Sequence, residues 1–452
     1  MKISEPAREV DVIHETDVLV VGSGPGGLAA AIAAARAGVS VTLLERFGCF
    51  GGNITAVGVE GFAWYRHEQT IDTEGVGIEF EERAKAMGAA VKEPQSDSHA
   101  LDGEAFKVVA DVLVEEAGIV PMLHRLFVAP VMDGDVVTGA IVESKAGREA
   151  ILAKRVIDAT GDADVAYRAG AVTLKNPKEE MIGASVMFSM SGVDKTRFIE
   201  HVKANPHTYS DWAYGEWDVE TTGKEDDMFS PFLRKPFEEA RKAGIIPKNL
   251  DTIAGTWGAI YDSGDLTYLN LVHLLGFDGT DPDDLTRGEM EGRKQAMMAV
   301  EAMRRFNPGC ERAKLRNFGM TIGIRDTRKI DAIYNMTSHD VREEARFEDS
   351  IGIFPEFIDG YGILILPTTG RYFHLPYRTL LPRGVKNLIC AGRITGGDKD
   401  SHAATRNMMC CAVTGQGAGV AAAMSVRHGQ AFEGLDIKLV QQELLRQGVR
   451  LH

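Results

Sequence analysis

Residues 16–46 read TDVLVVGSGPGGLAAAIAAARAGVSVTLLER. The run Asp17–Val21 is apolar and β-branched, the composition of a strand buried on both faces, and it leads into Gly22-Ser23-Gly24-Pro25-Gly26-Gly27. An Ala-rich helix is predicted from there to Ala37, closed by Gly38, and a second apolar strand from Val39 to Leu44 ends in Glu45. The stretch is a β-α-β unit in which each glycine has a task. Gly22 permits the tight turn, Gly24 lets backbone N–H groups approach a pyrophosphate, and Gly27 lets helix and strand pack closely. The phosphates of a dinucleotide then sit on the positive end of the helix. Glu45 lies 18 residues beyond Gly27, where a carboxylate accepts the ribose hydroxyls of an adenosine. This fingerprint does not separate FAD from NAD.

The remainder of the chain does. After Glu45 come Arg46-Phe47-Gly48-Cys49-Phe50-Gly51-Gly52-Asn53, whose paired glycines let the backbone pass close to a long cofactor. Leu126–Ile151 reads as a β-hairpin turning at Asp133-Gly134-Asp135, and Val156–Asp164 (VIDATGDAD) as an apolar strand running into a glycine turn. Asn387–Gly397 (NLICAGRITGG) repeats that pattern, and Ala403–Met424 reads as one long helix of small residues.

In this order and spacing the four blocks resemble the FAD-dependent oxidoreductase family, whose flavin-binding domain is shared with the flavoprotein subunits of fumarate reductase and succinate dehydrogenase and, more distantly, with glutathione reductase and p-hydroxybenzoate hydroxylase. Gly323-Ile324-Arg325-Asp326-Thr327-Arg328 and His374-Leu375-Pro376-Tyr377-Arg378 also look like blocks of that family, with the looser agreement between Leu174 and Met320. The resemblance implies an α/β fold: a Rossmann-like FAD-binding domain, a parallel sheet with a β-hairpin or meander insertion, plus an α+β substrate domain. Motif placement makes the first domain discontinuous, over 1–65, 100–190 and 378–452. The substrate domain then covers 191–377, and 66–99 connects the two near the flavin.

Carried over residue by residue, the resemblance implies that Gly22, Gly24, Gly27, Glu45 and Arg46 hold the AMP half and pyrophosphate. Gly51, Gly52 and Asn53 lie beside the ribityl chain and flavin edge. Val128 meets adenine through its backbone, and Ala159, Thr160 and Gly161 close over the cofactor. Gly392 and Arg393 contact pyrophosphate and ribityl, and Arg406, Asn407 and Met408 bring a helix N-terminus to the flavin pyrimidine ring, where positive potential stabilises the reduced, anionic form.

A flavin exchanges a hydride through N5, so the protein supplies orientation and one acid or base. Three segments are candidates. Asp398-Lys399-Asp400-Ser401-His402 resembles a fumarate-reductase loop whose histidine binds the substrate carboxylate, and an imidazole suits proton transfer near neutral pH; the alternative is a hydrogen-bonded structural histidine. Arg371–Arg378 offers Tyr372 and His374 as pocket residues, with Tyr377 and Arg378 in a scaffold role. Trp64-Tyr65-Arg66-His67 follows the flavin-adjacent glycines and is read as core packing or substrate contact. Arg325 and Arg328 are expected to pair with carboxylates at the domain junction. Tyr214–Asp227 is acidic and polar and reads as a solvated loop or lid.

The chain has 452 residues, 44% of them hydrophobic, with a mean hydropathy of -0.11, ordinary globular values. A net charge of -15 and the lack of a basic stripe argue against nucleic acid and anionic lipid as partners. The lack of a long uninterrupted apolar run argues against a membrane span, and the charged start of the chain against a secretory signal, so a cytoplasmic location is expected. The five cysteines (Cys49, Cys310, Cys390, Cys410, Cys411) form no C-x-x-C pair and no metal-ligand spacing; the adjacent Cys410 and Cys411 are read as small packing residues, with a redox pair as the alternative. Only one dinucleotide fingerprint is present, which argues against a tightly built second nicotinamide site. The expected partners are a small-molecule substrate and an electron acceptor or donor of unknown identity, with self-association left open. A dehydrogenase or ene-reductase acting on a carboxylate, enone or cyclic alcohol is the leading expectation. A flavin monooxygenase and the flavin subunit of an electron-transfer complex are the alternatives.

Overall fold

The computed structural model describes residues 1–62, 72–93, 98–206, 217–221 and 232–452. Its first layer begins with β1 (Asp11–Val21), α1 (Pro25–Arg36) and β2 (Val41–Leu44), the predicted β-α-β unit. The sheet continues with β3 (Val120–Met122), the hairpin β4 (Leu126–Asp133) and β5 (Val136–Ser144), and the long β6 (Gly147–Asp158). The strand order is β3-β2-β1-β6-β5-β4, parallel from β3 to β6 and antiparallel through the hairpin.

The second layer is antiparallel and built around β7 (Phe188–Ser191), β8 (Ile253–Thr256) and β9 (Leu266–Leu274), with β9 at its centre. The 25-residue α2 (Pro282–Phe306) packs on it, and β10 (Lys314–Phe318) closes its edge against β7. The register of β9 slips twice: against β8 the extra residue stands in β8, between Ile253 and Thr256, and against β7 one extra residue stands in β9, between Leu266 and Leu269. That residue is Tyr268, whose φ of 53° puts a bulky side chain in left-handed backbone.

The chain then returns to the first layer. The antiparallel pair β11 (Ser350–Pro355) and β12 (Tyr372–Pro376) joins the apolar core of α1. The short β13 (Leu388–Cys390) pairs in parallel with the last three residues of β6, whose first half is bonded to β5, so β6 changes partner halfway along. The expected long helix over 403–424 is two: a short one over Lys399–Thr405 and then α3 (Met408–His428), with the break at Arg406 and Asn407. Among the described residues α3 alone is long and apolar enough to cross a membrane, and here it lies in the core against α1. Small residues allow that approach: a Cβ on Gly415 or Gly419 would stand 2.0 and 2.1 Å from the Gly26 and Ala30 carbonyl oxygens.

The two layers divide the chain differently from the expected boundaries at 190 and 377. Ala184–Ser185 and β7 pair with β9 in the second sheet, whereas β11 and β12 share the first core, because strands follow their hydrogen-bond partners rather than the position of motifs. Within the expected loop 214–227, Asp218–Glu220 is a strand parallel to Ile363–Ile365; residues 214–216 and 222–227 lie outside the described residues.

Candidate active site

One cavity runs between the layers and collects most of the segments singled out by the sequence. From the first layer it is lined by Gly22–Gly26, Glu45, Arg46, Gly52, Asn53, Ala159–Asp162, Gly392 and Arg393, and by Arg406, Asn407 and Met408. The β1–α1 turn is forced by sterics. Gly22 has φ of 96°, and a Cβ there would lie 2.5 Å from the Ala159 oxygen. At Gly27 a Cβ would stand 1.9 Å from the Gly22 oxygen, so this residue packs behind the turn rather than on the cavity. Gly51 likewise stands behind it, its N–H donating to the Ser23 carbonyl at 2.9 Å. The two ends of the chain meet here: a Cβ on Gly26 would be 3.1 Å from Gly392 Cα.

Two helix N-termini open on this space without side-chain caps, α1 at Gly24 and α3 at Asn407. Their first N–H groups have no intrahelical acceptor, which makes each end a site for negative charge. Arg393 lines the same wall; its Nη2 donates to Asp162 Oδ1 at 2.7 Å, while its Nε is buried without a partner among the described residues. Glu45 Oε2 accepts from the Ser23 N–H at 3.0 Å and Ser23 Oγ at 2.7 Å, and Oε1 from the Phe47 N–H at 2.9 Å. The carboxylate is thus anchored to the glycine turn, with one lone pair left, on Oε1, for a ribose. Asp158, which sequence reasoning passed over although it stands in the VIDATGDAD block, holds the opposite turn. Its Oδ1 accepts from the Thr160 N–H and Oγ1 and its Oδ2 from the Ala166 N–H, and burial pushes its pKa up to about 6. Unpaired anion-binding donors, a buried Arg Nε and a ribose-directed carboxylate in one cleft fit FAD.

Val128 is placed differently from the expectation. Its carbonyl is taken by the Arg168 guanidinium, and Arg125, Leu126 and Phe127 line the cavity in its stead. A register slip between Phe127 and Ala129 accounts for this, since it turns the edge of β4 at that point.

The proposed catalytic residues do not reach the cavity. His402 is 2% exposed; its Nε2–H donates to the Arg325 carbonyl at 3.1 Å, and burial followed by the neighbouring Lys329 cation keeps its pKa well below the usual imidazole value. It is therefore a neutral, hydrogen-bonded histidine supporting the backbone of Arg325. Tyr372 and His374 face away because β12 pairs with β11. The Arg346 guanidinium lies 3.9 Å over the Tyr372 ring, and His374 Nδ1 accepts from the Phe347 N–H at 3.2 Å. Tyr377 and Arg378 have scaffold contacts, to the Phe432 carbonyl at 2.9 Å and to Asp349 at 2.9 Å. Trp64-Tyr65-Arg66-His67 lies outside the described residues. Cys410 and Cys411 are buried thiols whose pKa burial raises, and they pack within α3.

The second layer contributes a wall that sequence reasoning missed: Ser185, Tyr268, Asn270 and Arg325. Arg328 does pair with a carboxylate, Asp164 at 3.2 Å, as expected. Arg325 does not. It donates to the Gly183 carbonyl at 2.6 Å and to Asn270 Oδ1 at 3.2 Å, both neutral acceptors. Tyr268 fits against two glycines, since a Cβ on Gly61 or Gly258 would come within 2.7 and 2.2 Å of its ring. Isolated Gly61 and Gly258 were the available signal, but each makes room for a residue distant in sequence.

Among known proteins, residues 17–444 match the family model described as FAD dependent oxidoreductase. Two curated proteins named thiamine thiazole synthase, from Metallosphaera sedula and Saccharolobus islandicus, are 32% and 31% identical over 161 and 163 residues, 33% of this chain in each case. The matches span 55% and 57% of those proteins, about half their length. Among solved structures, a geranylgeranyl bacteriochlorophyll reductase-like protein from Thermoplasma acidophilum aligns over 97% of this chain and 84% of its own at 14% identity and a TM-score of 0.49. The family match covers nearly the entire chain and agrees with the cleft between its two ends: this protein belongs to the FAD-dependent oxidoreductases.

Proposed function

We propose that the chain transfers a hydride between a small organic substrate and N5 of FAD, as a dehydrogenase or ene-reductase. The observation that carries this reading is the second-layer wall of the cavity. A cleft serving only to store a dinucleotide has no need of a strained tyrosine and a cavity-facing arginine, because strain of about 1–3 kcal/mol persists where the surrounding structure holds it for a purpose. FAD, when bound, supplies the two-electron chemistry.

The chain's own residues supply the rest. Tyr268 is the side chain that holds the proton accompanying the hydride: its hydroxyl has no partner among the described residues, and it lines the cavity. Burial, reinforced by the Glu93 carboxylate, raises its pKa, so the phenol stays protonated through the neutral range and is ready to donate. Met187 and Val57 provide apolar cover that limits water.

Anaerobic mixing of the FAD-loaded protein with carboxylates, enones and cyclic alcohols tests the reading. One class is expected to bleach the oxidised flavin or restore its colour after reduction. Tyr268→Phe is expected to slow that change by about 100-fold or more with FAD retained. Substrate-stimulated consumption of NAD(P)H and O2 with oxygen incorporated into the product would overturn the reading in favour of a monooxygenase.

A further inference from the structure

Three side chains of the second-layer wall carry hydrogen-bond donors that no described residue takes up. Arg325 spends two N–H groups on the Gly183 carbonyl and Asn270 Oδ1, which leaves three of the five that a guanidinium carries. Asn270 Oδ1 accepts from both Arg325 and, at 2.8 Å, Ser185 Oγ. Those two donors fix which end of the amide is oxygen, so Nδ2 is the free end. Tyr268 Oη is the third, without an acceptor among the described residues.

Charge points the same way. Asp359 lines the cavity but is bonded to Arg406, through its carbonyl and, at 3.3 Å, through Oδ2. Two guanidiniums therefore share one carboxylate, and among the described residues Arg325 has no ion pair. His273, behind Ser185, is kept neutral by burial, its pKa pushed down to about 3. Burial, then repulsion from Arg406, brings Arg325 down to about 10, which still leaves it cationic at neutral pH. A half-buried cation facing a cleft with donors to spare costs free energy until an anion reaches it.

We propose that Arg325 and Asn270, beside Tyr268, form a subsite for an anionic oxygen group of the substrate, a carboxylate. This rests on the hydride-transfer reading and names the class of molecule that the site takes. The guanidinium grips the carboxylate through paired N–H donors and the amide Nδ2 adds another, which leaves the Tyr268 phenol free for the proton that accompanies the hydride.

The test needs binding, not turnover. FAD-loaded protein is titrated with crotonate and benzoate, and separately with crotonamide and benzamide, which keep the shape and lose the charge; perturbation of the flavin spectrum reports occupancy. Each acid is expected to bind about 20-fold more tightly than its amide. Arg325→Met is expected to erase that preference with FAD affinity unchanged, Arg325→Lys to restore part of it, and Asn270→Ala to weaken the acids about fivefold, whereas Tyr268→Phe should leave acid binding within about twofold. Equal behaviour of acids and amides in the wild type overturns the proposal, as does a preference that survives in Arg325→Met. Loss of FAD in that variant also overturns it, by assigning Arg325 to the cofactor. Failure of the hydride-transfer reading would look different: acids still preferred, but no flavin reduction or reoxidation by any substrate.

Discussion

The two walls of the cavity are made of different material. The first-layer wall recognises its ligand mainly through backbone: a turn at Gly22–Gly27, two uncapped helix ends and glycines at contact points that exclude a Cβ. The second-layer wall presents single side chains, Ser185, Tyr268 and Asn270 on an antiparallel sheet with a bulge and Arg325 on the loop beside it. Backbone recognition constrains a run of consecutive residues. Side-chain recognition constrains isolated ones, a contrast that suits a common cofactor on one wall and, on the proposed reading, the choice of substrate on the other.

Substitutions separate the two modes, and the largest effect belongs behind the turn. Gly27→Ala places a methyl 1.9 Å from a backbone oxygen that has no room to move, and destabilisation of at least about 3 kcal/mol in urea melts is expected. His402→Ala comes next. It removes the donor to the Arg325 carbonyl and opens a small void, so a loss of about 2–3 kcal/mol is expected; an unchanged melt with abolished proton transfer would restore His402 to a catalytic role.

A smaller, pH-dependent effect is expected at Glu60, between the two walls. Its Oε2 accepts from Thr267 Oγ1 at 2.5 Å, next to Tyr268 in sequence, and burial pushes its pKa up from 4.5 to about 7. A carboxyl raised in the folded state contributes stability below its unfolded pKa, and that contribution is lost as the pH rises through 7. Glu60→Gln, which still accepts from Thr267, should therefore be more stable than the wild type by about 1–3 kcal/mol at pH 8, with the gap closing near pH 5. Thermal melts across that range check it. The smallest change in stability is expected for Gly24→Ala. A Cβ there meets nothing within 4 Å and φ is -61°, so the apoprotein should stay within about 1 kcal/mol of the wild type, whereas FAD affinity, read by flavin fluorescence, should fall about tenfold.

Legibility in the sequence follows the same division. The β-α-β unit, the hairpin turning at Gly134 and the strands ending at Asp158 and Cys390 are local patterns, and local patterns survive in one dimension. Arg325 was visible in its motif but misassigned, because whether an arginine meets a carboxylate or a carbonyl depends on a partner some 55 residues away at Asn270. Tyr268 carried no signal of its own, since the only hint, the glycines that admit its ring, stands elsewhere in the chain. His402 followed a glycine turn as a loop catalyst does, yet the short helix beginning at Lys399 carries it inward.

The way β6 divides its length between β5 and β13 bears on how the protein is made. During synthesis the ribosome delivers the nucleotide turn early, but the strand and helix that complete its cleft emerge only after Leu388 and Met408. Until then the growing polypeptide exposes the edge of β6 and the alanine face of α1, surfaces prone to stick to other chains. The vitamin-derived cofactor therefore meets a finished cleft only once the helix from Met408 has left the ribosome.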